Sequence, residues 1–162
     1  MLTGIVPPTS GSSEILGFNT WSQWNIVQKL IGLCPQQSIL YNILTVKEHL
    51  SLYGKLKGVL TQFDLDLEIN TFLKCMDMTD LADVAVKDLS EGLKRRLCVA
   101  LAFIGGSKVV ILDEPTSGID QYVRIHLQTY ALPFYSSKNN FRPVQIGLNF
   151  RPVKNNFDLL DP

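Results

Sequence analysis

Lys108-Val-Val-Ile-Leu-Asp-Glu-Pro-Thr-Ser-Gly-Ile-Asp120 is the stretch on which the reading of the fold turns. Four apolar residues, Val109 to Leu112, run directly into two adjacent acids, Asp113 and Glu114. A short, unbroken, β-branched run predicts a strand buried on both faces, as in a parallel sheet. Acids at the carboxyl end of such a strand stand where open α/β sheets bind ligands. An Asp there suits the ordering of a magnesium ion, and a Glu suits the polarising of a water that attacks phosphate. The competing reading is a strand that ends in a solvated acidic turn. The segment alone leaves the two level, because short motifs misfire often.

Working outward, length and composition narrow the field. The 162 residues suit one domain, and 46% apolar content is ordinary. The 15 basic and 15 acidic residues cancel, which gives no case for a nucleic-acid partner or an anionic-membrane surface. Cys34, Cys75 and Cys98 are odd in number and lack metal-ligand spacing, so buried or free thiols in a reducing compartment are expected. The first residues, Met-Leu-Thr-Gly-Ile-Val-Pro-Pro, lack the basic flank and apolar stretch of a signal peptide. No apolar run of about 18 residues occurs, so direct membrane insertion by this segment is not expected and a soluble piece is.

Before the opening segment the pattern alternates strand and helix. A Pro7-Pro8-Thr-Ser-Gly-Ser-Ser turn precedes a short strand expected around Glu14 to Gly17. Trp21, Trp24, Ile26, Val27, Leu30 and Ile31 recur at mostly helical spacing, and Ile31 to Cys34 predicts a strand stopped by Pro35. Thr45 with Glu48 three residues on makes a capping box. The helix it opens is expected to keep Val46, Leu50, Tyr53, Leu56 and Leu60 on one face. A second helix is expected from about Asp66 to Met76, and one short turn of helix from Asp80 to Val86. Ser90 opens a third strong helix, with Leu93, Leu97, Ala100, Leu101 and Ile104 inward, and Gly105-Gly106 ends it. Lys94, Arg95 and Arg96 read as the solvated face of that helix rather than as a phosphate clamp. Residues 138–144 (Lys-Asn-Asn-Phe-Arg-Pro-Val) and 149–157 (Asn-Phe-Arg-Pro-Val-Lys-Asn-Asn-Phe) nearly repeat each other, without sustained period. The domain is therefore expected to occupy residues 1–125, with 126–162 a low-order tail.

Three further motifs stand in order around the strand: Cys34-Pro35-Gln36-Gln37, Leu89-Ser90-Glu91-Gly92-Leu93, and Ser117-Gly118-Ile119-Asp120. Together they resemble the nucleotide-binding domain of ATP-binding-cassette transporters. Gln36 matches that family's Q-loop glutamine, and Leu89 to Leu93 its signature motif. Val109 to Glu114 matches the Walker B strand with its catalytic Glu, and Ser117 to Asp120 the D-loop. Ser90 precedes Asp113 by 23 residues, the family's spacing. The stretches Leu44-Thr-Val-Lys-Glu-His-Leu50 and Gly105-Gly-Ser-Lys-Val-Val-Ile-Leu-Asp-Glu-Pro-Thr-Ser-Gly118 further resemble the lipid-transporting A subfamily. The likeness covers residues 1 to about 124.

What this resemblance implies is an α/β fold: an incomplete P-loop NTPase (RecA-like) core with a helical subdomain inserted at 45–87, then an irregular tail. Signature, Walker B and D-loop would occupy 88–120. The implied cofactors are ATP and Mg2+. Asp113 and Gln36 would serve the metal, and Glu114 and Gln36 the hydrolysis. Ser90, Glu91, Gly92 and Asp120 would face an ATP held by an opposing domain. The implied partners are transmembrane domains and a second nucleotide-binding domain, at the cytoplasmic face of a membrane. Ser90 is ambiguous as a residue, since Ser is a favoured cap whatever the function, yet an exposed helix N-terminus also attracts anions. Glu91 departs from the family's Gly at the third signature position. A carboxylate suits the helix dipole but repels a triphosphate, so a weakened or asymmetric composite site is expected.

The motif Gly-x-x-x-x-Gly-Lys-Ser/Thr does not occur in this sequence, and the family's switch histidine is unmatched: only His49 and His126 exist. His49 falls in the capped helix, where a packed or solvated role is expected, and His126 comes 12 residues after Glu114, too soon for the family's position. Feeble ATP binding and a marginally folded isolated chain are the expectation. The leading reading is therefore a piece of a transporter's ATP-binding domain. A non-catalytic interaction fragment built on residues 45–87 is the alternative, and the subfamily wording argues against a soluble cassette ATPase without transport.

Overall fold

The computed structural model describes residues 3, 4, 6, 7, 9–59 and 61–113. In chain order they form β1 (Glu14–Ile15), β2 (Phe18–Asn19), α1 (Trp24–Leu30), β3 (Ile31–Cys34), α2 (Val46–Lys57), α3 (Gln62–Cys75), α4 (Glu91–Phe103) and β4 (Val109–Leu112). Two 3-10 turns, Thr79–Leu81 and Val86–Asp88, stand between α3 and α4. β1 and β2 make a small antiparallel hairpin. β3 and β4 pair in parallel, Ile31 opposite Val109 and Cys34 opposite Leu112.

The parallel pair is covered on both faces, as the unbroken apolar run in β4 predicts. Cys34, Val110 and Leu112 join a large core with α2, α3 and α4. Ile31, Val109 and Ile111 turn the other way, to Ile15 and Val27 of α1. Alternate side chains thus feed two different layers, and all four residues of β4 are buried. At Gly32 a Cβ would stand 1.7 Å from the Ala102 carbonyl oxygen, so only glycine lets α4 lie this close to β3.

The helices start where side chains meet orphan amides. The capping box is present: Thr45 Oγ1 accepts from Glu48 N–H at 3.2 Å, and Glu48 Oε2 accepts from Thr45 N–H at 2.8 Å. α2 ends at Gly58, whose φ of 92° needs a residue without Cβ. Leu56 is 70% exposed, so it does not share the buried face of Val46 and Leu50 as expected. Leu60, also assigned to that face, lies outside the described residues. α3 begins at Gln62 rather than near Asp66, because Thr61 caps it and accepts from Asp64 N–H at 3.1 Å. The single helical turn expected from Asp80 to Val86 is instead the two separate 3-10 turns. Between them the chain rejoins its starting point: Val46 N–H donates to Val84 O at 3.2 Å, and Val86 N–H to Leu44 O at 3.0 Å. The helical excursion from Thr45 therefore leaves and returns at one place.

Candidate functional site

β3 and β4 end side by side, and their ends carry the residues that the motifs single out. Asp113 follows β4 directly and its N–H donates to Cys34 O at 2.9 Å, extending the ladder by one step. Gln36 leaves the end of β3 one residue beyond Pro35, and both Gln36 and Asp113 are exposed. Short parallel strands side by side send these two groups out of the same carboxyl edge. Asp113 offers a carboxylate and Gln36 an amide oxygen, the hard donors that magnesium takes when one or two protein groups share it with phosphate and water. Among the described residues no group of three or more His, Cys, Asp or Glu side chains clusters as a metal cage.

A buried cation joins the two strand ends. Arg95 of α4 is only 4% exposed, and its guanidinium donates to the Pro35 carbonyl, to Gln36 O at 3.1 Å and to Asp113 O at 2.5 Å. The expectation that Lys94, Arg95 and Arg96 share a solvated face is therefore corrected for Arg95. The overlooked signal is its spacing: Arg95, Cys98, Val99 and Ala102 fall at i, i+3, i+4 and i+7, and all four are buried. Arg96 also turns back to protein, reaching Met76 O at 3.4 Å. Lys94, its side chain 21% exposed, pairs with Glu91 at 2.8 Å.

At the other end of the same helix Ser90 is the cap, accepting from Leu93 N–H at 3.4 Å. Ser90 and Glu91 are exposed and Gly92 is partly so. The Glu91 carboxylate that lies in the first turn is thus drawn to Lys94, one turn along its own helix. Glu114 and Asp120, assigned from sequence to hydrolysis and to ATP contact, lie outside the described residues.

The three thiols are buried and free, as expected. Burial pushes the Cys34 thiol up to about 12, against a smaller opposing pull from the Arg95 charge, so it stays protonated beside the strand ends. His49 is fully buried. Its Nδ1 bonds Thr45 O at 3.0 Å and its Nε2 accepts from Tyr41 N–H at 2.9 Å, which ties the segment after Gln36 to α2. Desolvation by burial lowers its pKa, so the neutral ring is favoured. A cavity of about 320 Å³ lies between α1, β3 and α2, lined by Trp24, Gly32, Tyr53 and Lys57 among others, and none of the assigned site residues lines it.

A parallel strand pair sheathed by helices, with polar groups leaving its carboxyl edge beside a capped helix, is the ligand-binding edge of an α/β fold. The profile of the family described as ABC transporter matches residues 1–117. The human protein "ATP-binding cassette sub-family A member 2" is 42% identical over 124 residues, covering 76% of this chain and 5% of that protein. The rat "Phospholipid-transporting ATPase ABCA3" is 44% identical over 124 residues, again 76% of this chain and 7% of the relative. A dimeric post-hydrolysis ATP-binding cassette bound to ADP and Pi superimposes with a TM-score of 0.72 at 20% identity, over 88% of this chain and 65% of that one. The chain belongs to the ABC transporter family, as a nucleotide-binding domain of its A subfamily. It spans about a twentieth of the length of such curated relatives.

Proposed function

We propose that this chain supplies the Walker B, Q-loop and signature elements of an ATP-hydrolysing domain whose transporter moves phospholipid. The observation that carries the reading is the shared edge at which Asp113 and Gln36 emerge, fastened by Asp113 N–H to Cys34 O. Magnesium held there by Asp113 and Gln36 would offset charge on the β- and γ-phosphates. Asp113, exposed at the strand end, would accept hydrogen bonds from water bound to the ion. Gln36, with a donor and an acceptor on one neutral group, would bond to the ion or its water. Glu114, next in sequence, orients the attacking water. Ser90 and Gly92, at the N-terminus of α4, face the phosphates of an ATP carried by a second nucleotide-binding domain, and Asp120 completes that interface.

The phospholipid assignment rests on the rat relative, a phospholipid-transporting ATPase by name. The transmembrane partner is supported by the loop between Gln36 and α2, where Ile39, Tyr41 and Ile43 are all exposed. Such a cluster of apolar side chains on one loop suits burial against another chain. The sequence contains no Gly-x-x-x-x-Gly-Lys-Ser/Thr loop, whose amides and lysine provide the main grip on phosphate. The 162-residue chain alone is therefore expected to bind ATP weakly and to turn it over negligibly. Steady-state ATP hydrolysis by the transporter assembled with this sequence is the direct test. Wild-type turnover that falls at least about a hundredfold in Asp113→Asn and in Glu114→Gln is expected. Unchanged turnover in both variants refutes the assignment.

A further inference from the structure

α4 begins at Ser90 and carries Arg95 about 7.5 Å further along its axis. That one side chain connects the signature helix with the ends of both parallel strands. Its guanidinium donates to three main-chain carbonyls, of Pro35, Gln36 and Asp113. It therefore fixes the path of the backbone at Gln36 and Asp113, two exposed residues. Charge-assisted bonds of this kind are the strong ones, and a buried carbonyl that loses its donor is costly. A planar guanidinium reaches several acceptors in a set geometry, whereas the ammonium of a lysine is a single point. Among the described residues the β3–β4 ladder ends with the bond from Asp113 N–H to Cys34 O. Beyond that step, Arg95 links Pro35 and Gln36 to Asp113.

We propose that Arg95 is a positioning residue for ATP hydrolysis: it holds Gln36 in register with Asp113. The catalytic consequence rests on the ATPase reading given above, while the clamp itself does not. Two measurements on wild type, Arg95→Lys and Arg95→Gln separate these. In hydrogen exchange on the full chain, peptides over 34–38 and 109–113 should exchange about tenfold faster in both variants, while α3 keeps its protection. No change in those peptides, or an equal loss over α3 in both variants, overturns the clamp and makes Arg95 a general core residue. In the assembled transporter, Arg95→Lys should lower kcat about tenfold with the KM for ATP within about twofold, because Arg95 is assigned no contact with nucleotide. A raised KM with unchanged kcat overturns the positioning role. A wild-type assembly without ATPase activity refutes the functional reading alone, and the exchange result then still decides the clamp.

Discussion

Three consecutive basic residues leave α4 in three directions, and each meets a different chemistry. Lys94 pairs with Glu91 across one helical turn, Arg96 reaches the Met76 carbonyl, and Arg95 enters the core at the strand ends. The Glu91 side chain is 82% exposed, and exposed pairs of this kind contribute between zero and about 1 kcal/mol. Glu91→Gly should therefore shift the urea midpoint of the chain by less than about 1 kcal/mol in stability. In the assembled domain pair the same change should strengthen ATP-driven association, read by sedimentation with and without nucleotide. An association constant equal to wild type would remove the idea that Glu91 weakens the composite site. His49 gives a pH prediction of fixed sign. Burial holds its folded pKa below the ordinary histidine value of 6.5, so the unfolded chain binds more protons in the window between the two. The stability it contributes is complete above pH 6.5 and is lost as pH falls toward the folded pKa. Denaturant midpoints measured at about pH 5.5 and about pH 7.5 should differ less in His49→Gln than in wild type.

Among the elements, the caps and one glycine set where the helices begin and how near they lie. Thr45→Ala removes the side-chain acceptor of the reciprocal cap while the bond from its backbone N–H to Glu48 remains, and should cost about 1 kcal/mol in a denaturation series. Thr61→Ala should cost a similar amount and loosen the first turn of α3, visible as faster amide exchange over 62–65. Gly32→Ala puts a methyl group onto the Ala102 carbonyl, where backbone meets backbone and neither side yields by rotating a side chain. It should destabilise by at least about 1–3 kcal/mol, and a neutral result would mean that α4 can move off β3 without loss. β4 was legible from sequence because an unbroken apolar run has few other uses. The start of α3 was not, since the apolar period begins at Leu65 but Thr61 already supplies the first turn with an acceptor. Leu56 was misplaced for a related reason: helical spacing assigns it a face, but only the partner helix decides how far along α2 that face is covered.

On the scale of the whole molecule, two cores on opposite faces depend on one pair of strands. Among the described residues β4 pairs only with β3, which leaves the backbone groups of its other edge without a strand partner. An edge flanked by four buried apolar residues invites pairing with another chain. The isolated chain is therefore expected to unfold in a broad thermal transition and to self-associate at micromolar concentration, while a sharp transition in a monodisperse sample would contradict this. The sequence by itself determined the class of fold and the order of its motifs, because strand burial, helix capping and acidic strand ends are local patterns that read directly from neighbouring residues. It also placed Gln36, Ser90 and Asp113 at the ends of their elements. Only the tertiary structure decided that Arg95 is buried and binds two strand ends, since its partners lie 60, 59 and 18 residues away in the chain. A cation on a helix is inside or outside according to what packs over it, and no local pattern encodes the convergence of three carbonyls on one guanidinium.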